Sequence, residues 1–229
     1  MKVLQVIAKW IFILCLPILF LSSSLAWGFN SQWIFGYGFQ KYAVSQSTGL
    51  PNTELAKIGK SWTEYINSGN EYWDITVTKG GNTFELFTQD EQIHFRDVKQ
   101  LIWLDYRFLL VTLILVLGYA LTLIFWRRGQ YWRQLASNAI WGSGLALLLI
   151  VALGLGSILD FDQLFLQLHG LIFTNAYWSA AGYMLLLFPG GFWYDAALIC
   201  IAFMAGLAII LGIFALAYLR LTRSKSVPI

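Results

Sequence analysis

The sequence predicts a mainly α-helical membrane protein with four transmembrane helices, a small α+β extracytoplasmic cap and an interfacial helix before the fourth span. The first observation is composition. Of 229 residues 58% are hydrophobic and 12% are charged, whereas about 25% charged is usual for a soluble domain. The second is that apolar runs free of charge recur at lengths close to the about 20 residues that a membrane helix needs. The third is that the segments between these runs alternate in charge: those assigned to one side of the membrane carry only basic residues, and those on the other side carry all the acidic residues.

The same composition excludes other classes. Intrinsic disorder requires low hydrophobicity and a high net charge, and this chain has neither. A nucleic-acid-binding protein is also disfavoured, because the net charge is only +3 and the basic residues do not gather on a folded face. We treat residues 1–229 as a single membrane domain.

The apolar runs place the four spans. They cover about residues 10–27, 108–126, 139–159 and 196–219. The first run has an alternative interpretation as a cleaved signal peptide, since Ser24-Leu25-Ala26 resembles a cleavage site. Its length and the aromatic residues that follow it favour a retained helix with an interfacial anchor.

Charge placement sets the topology. With four spans and both termini in the cytoplasm, the cytoplasmic segments 1–9, 127–138 and 220–229 carry 8 basic and no acidic residues, and the outer segments carry the remaining 7 basic and all 12 acidic residues. This agrees with the positive-inside rule. A fifth span within 163–194 would place the basic tail outside and would carry Asn175 and Pro189 through lipid. We therefore predict that 160–194 is an outer loop at the membrane surface.

The first outer segment, residues 28–107, is predicted to form the cap. Pro51-Asn52-Thr53-Glu54 indicates a helix start, and apolar residues at helical spacing continue to Ile66. A hairpin follows, with a turn at Gly80-Gly81-Asn82 between strands Asp74–Lys79 and Thr83–Phe87. Thr88-Gln89-Asp90-Glu91 is a capping box that opens a helix leading into the second span.

The two outer segments hold 25 of the 39 aromatic residues. Aromatic belts alone would divide these residues between both interfaces. The excess on one side therefore favours either an aromatic-lined pocket or a cap that rests on lipid through its Trp and Phe residues. An apolar stripe from Phe161 to Ile172 is typical of an interfacial helix.

Both histidines of the chain, His94 and His169, fall in these outer segments. Histidine is the side chain best suited to proton transfer near neutral pH. Motifs for serine hydrolases, zinc peptidases and nucleotide binding are missing from the sequence. A zinc site would need a third ligand, which Glu91 or Asp97 could supply, and a two-histidine haem site is a further alternative. We predict neither a metal nor a cofactor. The cysteines, Cys15 and Cys200, fall inside predicted spans and read as small apolar residues.

Two blocks of sequence resemble the lipoprotein intramolecular transacylases of bacterial membranes. The first is Thr88 to Lys99, with an acidic residue, His94 and the run Asp97-Val98-Lys99 before the second span. The second is Phe165 to Trp178, with His169, followed by Leu187-Phe188-Pro189 and Phe192-Trp193. The resemblance covers nearly the whole chain. The chain departs from the family pattern at Gly182-Tyr183-Met184, where the family has an acidic residue.

The resemblance implies an activity. Such an enzyme moves an acyl chain from the glyceryl sn-2 oxygen of a diacylglyceryl-cysteine lipoprotein to the amine of the same cysteine, which gives an N-acyl, S-monoacylglyceryl lyso-form. It also implies a diacylated lipoprotein as substrate, membrane phospholipid as surroundings, and an active site at the outer face of the bacterial cytoplasmic membrane. The competing hypothesis is a non-catalytic membrane module that binds lipid or a partner through its aromatic cap.

On this basis His94 and His169 are the predicted catalytic acid and base. Other residues receive supporting assignments, as orienting or oxyanion groups and as walls of the substrate pocket. The first group is Glu91, Asp97, Lys99, Tyr106 and Asn175, and the second is Trp103, Phe173 and Trp178.

Overall fold

The computed structural model describes residues 2–126 and 131–223. Its order of elements is helical apart from one hairpin. The helices are α1 (Lys2–Asn30), α2 (Gln32–Lys41), α3 (Val44–Thr48), α4 (Asn52–Ile66), α5 (Gln89–Leu121), α6 (Trp132–Ile172), α7 (Tyr183–Leu187) and α8 (Gly190–Arg223). Strands β1 (Thr76–Lys79) and β2 (Asn82–Glu85) lie between α4 and α5. A π-helical turn, Thr122–Trp126, follows α5, and a 3₁₀ turn, Tyr177–Ser179, precedes α7.

Four of these helices are long and apolar enough to cross a membrane, counted over the described part of the chain. They contain the segments Val3–Asn30, Gln89–Phe125, Trp132–Ala152 and Gly190–Thr222, so the predicted number of spans is confirmed. Segment 163–194 is not among them. The 37 residues of Gln89–Phe125 would extend about 55 Å at 1.5 Å per residue, well beyond an about 30 Å hydrocarbon layer. We assign the span to its apolar second half, from residue 108, so that His94 lies outside the span.

The chain divides into two compact units. The bundle unit comprises Met1–Leu25, Asp105–Leu155 and Cys200–Ile229, and the cap unit comprises Ala26–Leu104 and Gly156–Ile199. Of the basic residues that set the predicted topology, Arg127, Arg128 and Lys225 lie outside the described residues.

The bundle unit has an apolar core drawn from all its helical segments. This core contains Phe12, Ile13, Cys15, Leu16, Phe20, Val116, Ala136, Ala139, Ala146, Met204, Ala208 and Ala215. Small residues allow close approach: a Cβ at Gly142 would run into the side chain of Leu16. Buried polar groups are paired, since Ser24 Oγ donates to the Cys200 carbonyl at 2.6 Å and Asn138 Nδ2 donates to the Tyr119 hydroxyl at 2.8 Å. Both cysteines are free thiols.

In the cap unit, the predicted helix after Pro51 is α4, which begins at Asn52. The predicted hairpin is present but its turn is shorter than expected. Only Gly80 and Gly81 form the turn, with φ of 58° and 85°, and Asn82 pairs with Lys79 inside the ladder. Two residues with positive φ match the right-handed twist of the strands, which explains the two-residue turn.

The capping box is also confirmed. The Thr88 amide donates to Glu91 Oε2 at 2.8 Å, and the Glu91 amide donates to Thr88 Oγ1 at 3.4 Å. The second outer segment begins where the backbone of α6 breaks at Asp160, whose φ is −162° and ψ 86°. Asp160 Oδ1 accepts the Gln163 amide at 3.0 Å, so it caps a new helical segment that carries His169 near its end.

Helices α2 and α3 were not predicted. Two glycines weaken the helical signal of α2, since glycine is a poor helix former. One of them has a packing reason, because a Cβ at Gly38 would run into the ring of Phe192. Phe35 and Phe39 on the buried face of α2 contact both Phe188 and Phe192, with ring centroids 5.9 to 6.3 Å apart. Tertiary packing therefore supplies the stability that local propensity lacks.

Candidate active site

The cap unit brings the two histidines together. His94 lies in the second turn of α5 and His169 lies in the last turn of α6, yet their ring centroids are 6.2 Å apart. Phe173 contacts both rings, at 5.0 Å from His94 and 5.4 Å from His169. These separations are typical of adjacent rings. The two imidazoles are therefore adjacent, and both lie against the ring of Phe173.

His94 is almost fully enclosed. Its side chain is 7% exposed, and its Nδ1 is buried without a hydrogen-bond partner among the described residues. Phe95 and Phe173 lie against it. Buried polar atoms are normally paired, so an unpaired ring nitrogen marks a position that a substrate atom could fill.

His169 is held from its own helix. Its Nδ1 lies 2.8 Å from the Phe165 carbonyl oxygen. Because a carbonyl can only accept, this contact places the proton on Nδ1 and leaves the lone pair of a neutral ring on Nε2. The Phe165 and Trp178 rings flank the imidazole at 4.0 and 5.3 Å. The ring is thus fixed both in orientation and in tautomer.

Burial keeps both histidines uncharged at neutral pH. Loss of hydration, together with repulsion from His169, lowers the pKa of His94 to about 4, although Asp97 opposes the shift. Burial likewise lowers the pKa of His169, and the hydrogen bond to the Phe165 carbonyl opposes it. Two neutral imidazoles can accept protons at pH 7.

Asp97 and Asn175 join α5 to the segment after α6. Asn175 Nδ2 donates to Asp97 Oδ2 at 3.0 Å, and Asn175 Oδ1 accepts the Tyr177 amide at 3.2 Å. Phe173 and Trp178, which contact the histidines, lie on either side of Asn175. The pair therefore holds this aromatic segment against the helix of His94. Its geometry supports a positioning role for Asn175 rather than an oxyanion role.

Glu91 does not orient His94, in contrast to one predicted role. Its carboxylate is fully buried and accepts from the Thr88 amide and hydroxyl and, at 2.6 Å, from the Met184 amide. A Cβ at Gly182 would collide with this carboxylate. Glu91 thus reaches the Gly182-Tyr183-Met184 stretch where the sequence departs from the family pattern, and it ties α5 to the start of α7.

The ammonium of Lys99 is occupied by contacts other than those of the predicted oxyanion role. Its ammonium donates to the Ser68 and Asn70 carbonyls at 2.8 and 2.6 Å and lies 4.4 Å from the centre of the Tyr65 ring. These contacts fix the loop after α4 onto α5. The predicted oxyanion assignment of Lys99 is therefore replaced by a structural one.

Two further predicted residues have other positions. The Trp103 indole donates to the Ile66 carbonyl at 2.9 Å, so it closes the end of α4, and its ring is 43% exposed. Tyr106 belongs to the bundle unit.

The sequence did not indicate that position 182 must be glycine, because the group that leaves no room for a side chain there is the carboxylate of Glu91, 91 residues earlier. The contact of Phe165 with His169 could be predicted from the sequence, since Phe165 precedes His169 by one helical turn.

No group of three or more His, Cys, Asp or Glu that could hold a metal occurs within residues 2–126 and 131–223.

The fold is that of a multi-pass membrane protein with four apolar helices and a two-stranded sheet. The model of the family "Lipoprotein intramolecular transacylase Lit" matches residues 10–193. The chain belongs to this family of membrane acyltransferases. This membership excludes the alternative of a non-catalytic binding module.

Two comparisons add to this finding. An uncharacterized protein of Aquifex aeolicus (strain VF5) is 24% identical over 208 residues, which is 90% of each chain. The solved structure of the transacylase Lit from Bacillus cereus superposes with a TM-score of 0.82 at 16% identity, over 99% of this chain and 100% of that chain. A second structure of that protein, with one histidine replaced by arginine, gives a TM-score of 0.77 over 99% and 96%. At this identity the likeness concerns the fold.

Proposed function

We propose that the chain transfers the sn-2 acyl chain of a diacylglyceryl-cysteine lipoprotein to the amine of the same cysteine, with His94 and His169 as acid and base. The product is an N-acyl, S-monoacylglyceryl lyso-form. The observation that carries this proposal is the meeting of both histidines of the chain, 6.2 Å apart, against one aromatic wall.

The chemistry needs no enzyme nucleophile. Attacking amine and ester belong to one molecule, so holding them together supplies up to about 7–11 kcal/mol of the barrier. The carbon–nitrogen bond forms, the carbon–oxygen bond of the ester breaks, and one proton passes from nitrogen to the glyceryl oxygen. Starting from the neutral amine, the reaction therefore neither takes up nor releases a net proton.

Neutral histidines fit this balance. His169 takes the amine proton at Nε2, because its Nδ1–H is held by the Phe165 carbonyl. His94 receives that proton and delivers it to the glyceryl oxygen, so both rings begin and end uncharged. Each such transfer is worth typically 10²–10⁴-fold in rate. Phe173 and Trp178 exclude water and shape the space beside the rings, and Asp97 and Asn175 hold these aromatics in place.

Mass spectrometry of a diacylated lipopeptide tests the proposal. Acyl migration leaves the total mass unchanged, so fragment ions must report an acyl group on nitrogen and one fewer on the glyceryl. We expect His94→Ala and His169→Ala each to lower the transfer rate at least about 100-fold. Matched controls are Gln100→Ala on α5 and Leu168→Ala on α6, both exposed.

Equal thermal unfolding of variants and controls would show that folding survives. Transfer at the unaltered rate in either folded histidine variant would contradict the assignment of that histidine. The proposed setting is the outer face of the bacterial cytoplasmic membrane, with both termini in the cytoplasm.

A further inference from the structure

A groove of about 380 Å³ lies between α2 and α4 of the cap unit, apart from the histidines. Its walls are two rows of exposed residues, each spaced by four positions along its helix. The rows are Gln32, Gly36 and Gln40 on α2, and Asn52, Ala56 and Lys60 on α4. Phe35, Phe39 and Leu55 form an apolar floor.

The lining matches the chemistry of an extended polypeptide. Three carboxamides stand near the ends of the rows, and each both donates and accepts hydrogen bonds, as a peptide backbone requires. The middle of each row is small, at Gly36 and Ala56, which leaves room for side chains over the apolar floor. A Cβ at Gly36 would meet no atom within 4 Å. Lys60 is the one formal charge of the lining and already faces Glu64 at 3.6 Å, so the groove is not built for an anion.

The apolar floor of the groove and His94 belong to one packed aromatic cluster. Phe35 contacts Phe188 at 6.2 Å, Phe188 contacts Phe95 at 6.3 Å, and Phe95 contacts His94 at 6.1 Å. The ring centres of Phe35 and His94 are therefore at most about 19 Å apart. An extended chain advances about 3.3 Å per residue, so about 6 residues cover this distance.

We propose that this groove binds the polypeptide that follows the acylated cysteine of the substrate. The inference rests on the proposed function, because an amine held at the histidines places the start of that polypeptide within reach. Acyl chains would then be bound near the histidines, and the protein portion would be bound by α2 and α4. The groove contributes affinity that is the same in ground and transition states, so its loss raises KM and leaves kcat unchanged.

Gly36→Leu is the test variant, since it fills the groove at a position with free space. Transfer is measured with two diacylated lipopeptides, one of two residues and one of about 12 residues. We expect Gly36→Leu to raise KM about tenfold for the long lipopeptide, with unchanged kcat, and to leave both constants unchanged for the short one. Gly144→Leu is the matched control, because Gly144 is also an exposed helical glycine with open space.

Three results would overturn the proposal. These are an equal effect on both lipopeptides, an unaltered KM for the long one, and the same effect from Gly144→Leu. Binding of the fluorescently labelled long lipopeptide to detergent-solubilised protein, measured by anisotropy, separates this proposal from the proposed function. If the protein transfers no acyl chain, weaker binding to Gly36→Leu alone would still support the groove, and equal binding would refute it.

Discussion

At the scale of single residues, the surroundings of the two histidines favour neutral imidazoles rather than stabilising the charged form. Within residues 2–126 and 131–223, Asp97 is the group that favours an imidazolium at His94, whereas burial and His169 disfavour it. Both groups are consequently held in the form that accepts a proton. In many hydrolases a carboxylate bonded to the histidine stabilises the charged form. Here the backbone carbonyl of Phe165 occupies that position for His169.

This arrangement predicts the pH dependence of transfer. The active form of His94 is neutral, and because its pKa is lowered to about 4, this form persists well below pH 6.5. The acid side of the log kcat/KM profile should then follow the substrate amine, whose pKa is near 8, with a slope of one that continues below pH 6.5, because burial lowers the pKa of His169 as well. Steady-state rates across this range measure the slope. A second break near pH 6.5, with a slope of two or three below it, would show that one or both histidines titrate normally.

At the scale of elements, short segments are fixed by single long-range bonds. Glu91 holds the start of α7 through the Met184 amide, and Asp97 holds the segment after α6 through Asn175. Both carboxylates come from the first turns of α5, within three residues of His94. One helix therefore carries a histidine and also holds two segments that are distant in sequence, one of which contacts both histidines.

The Asp97–Asn175 pair predicts a rescue experiment. Asn175→Asp places two carboxylates face to face and should lower kcat about 10-fold or more as the aromatic segment loosens, whereas Asp97→Asn only replaces a charged acceptor by a neutral one and should lower kcat less. The exchanged double variant restores one donor and one acceptor and still lets residue 175 accept the Tyr177 amide. We expect it to recover most of the activity in a double-mutant cycle. Additive losses in the double variant would show that the bond does not position the site.

Elements whose signals are local were predictable from the sequence. The capping box before α5, the apolar period of α4 and the paired glycines of the hairpin all act within a few residues. Helix α2 was not predictable, because Gly38 is required by Phe192 from a distant helix. The same distinction holds for the site. The histidines stood out by their chemistry, whereas the hydrogen bonds of Lys99 could not be predicted, because the Ser68 and Asn70 carbonyls belong to a loop that only tertiary structure places beside it.

At the scale of the whole molecule, the distribution of charge predicts which segments face the cytoplasm. The only two cysteines, Cys15 and Cys200, both belong to the bundle unit and can be replaced by alanine to give a background without thiols. Glu85 in the hairpin and Arg220 near the end of α8 are exposed positions for single cysteines.

In intact cells stripped of any outer membrane, a membrane-impermeant maleimide should label Glu85→Cys. It should label Arg220→Cys only after the membrane is permeabilised. This follows from the positive-inside rule, which places the basic ends of the spans in the cytoplasm. Labelling of Arg220→Cys without permeabilisation would reverse the proposed orientation.

The proposed reaction acylates an amine, so the enzyme must also leave its own amines unmodified. Lys99 lies five residues from His94, yet it is buried, its ammonium donates hydrogen bonds to two carbonyls, and it lies over the Tyr65 ring. Burial lowers the pKa of Lys99, but the two carbonyls accept hydrogen bonds from its ammonium, and an ammonium has no lone pair to offer an ester. The loop after α4 thus covers the Lys99 amine, so that this lysine does not become a competing acceptor of the acyl chain in the proposed reaction.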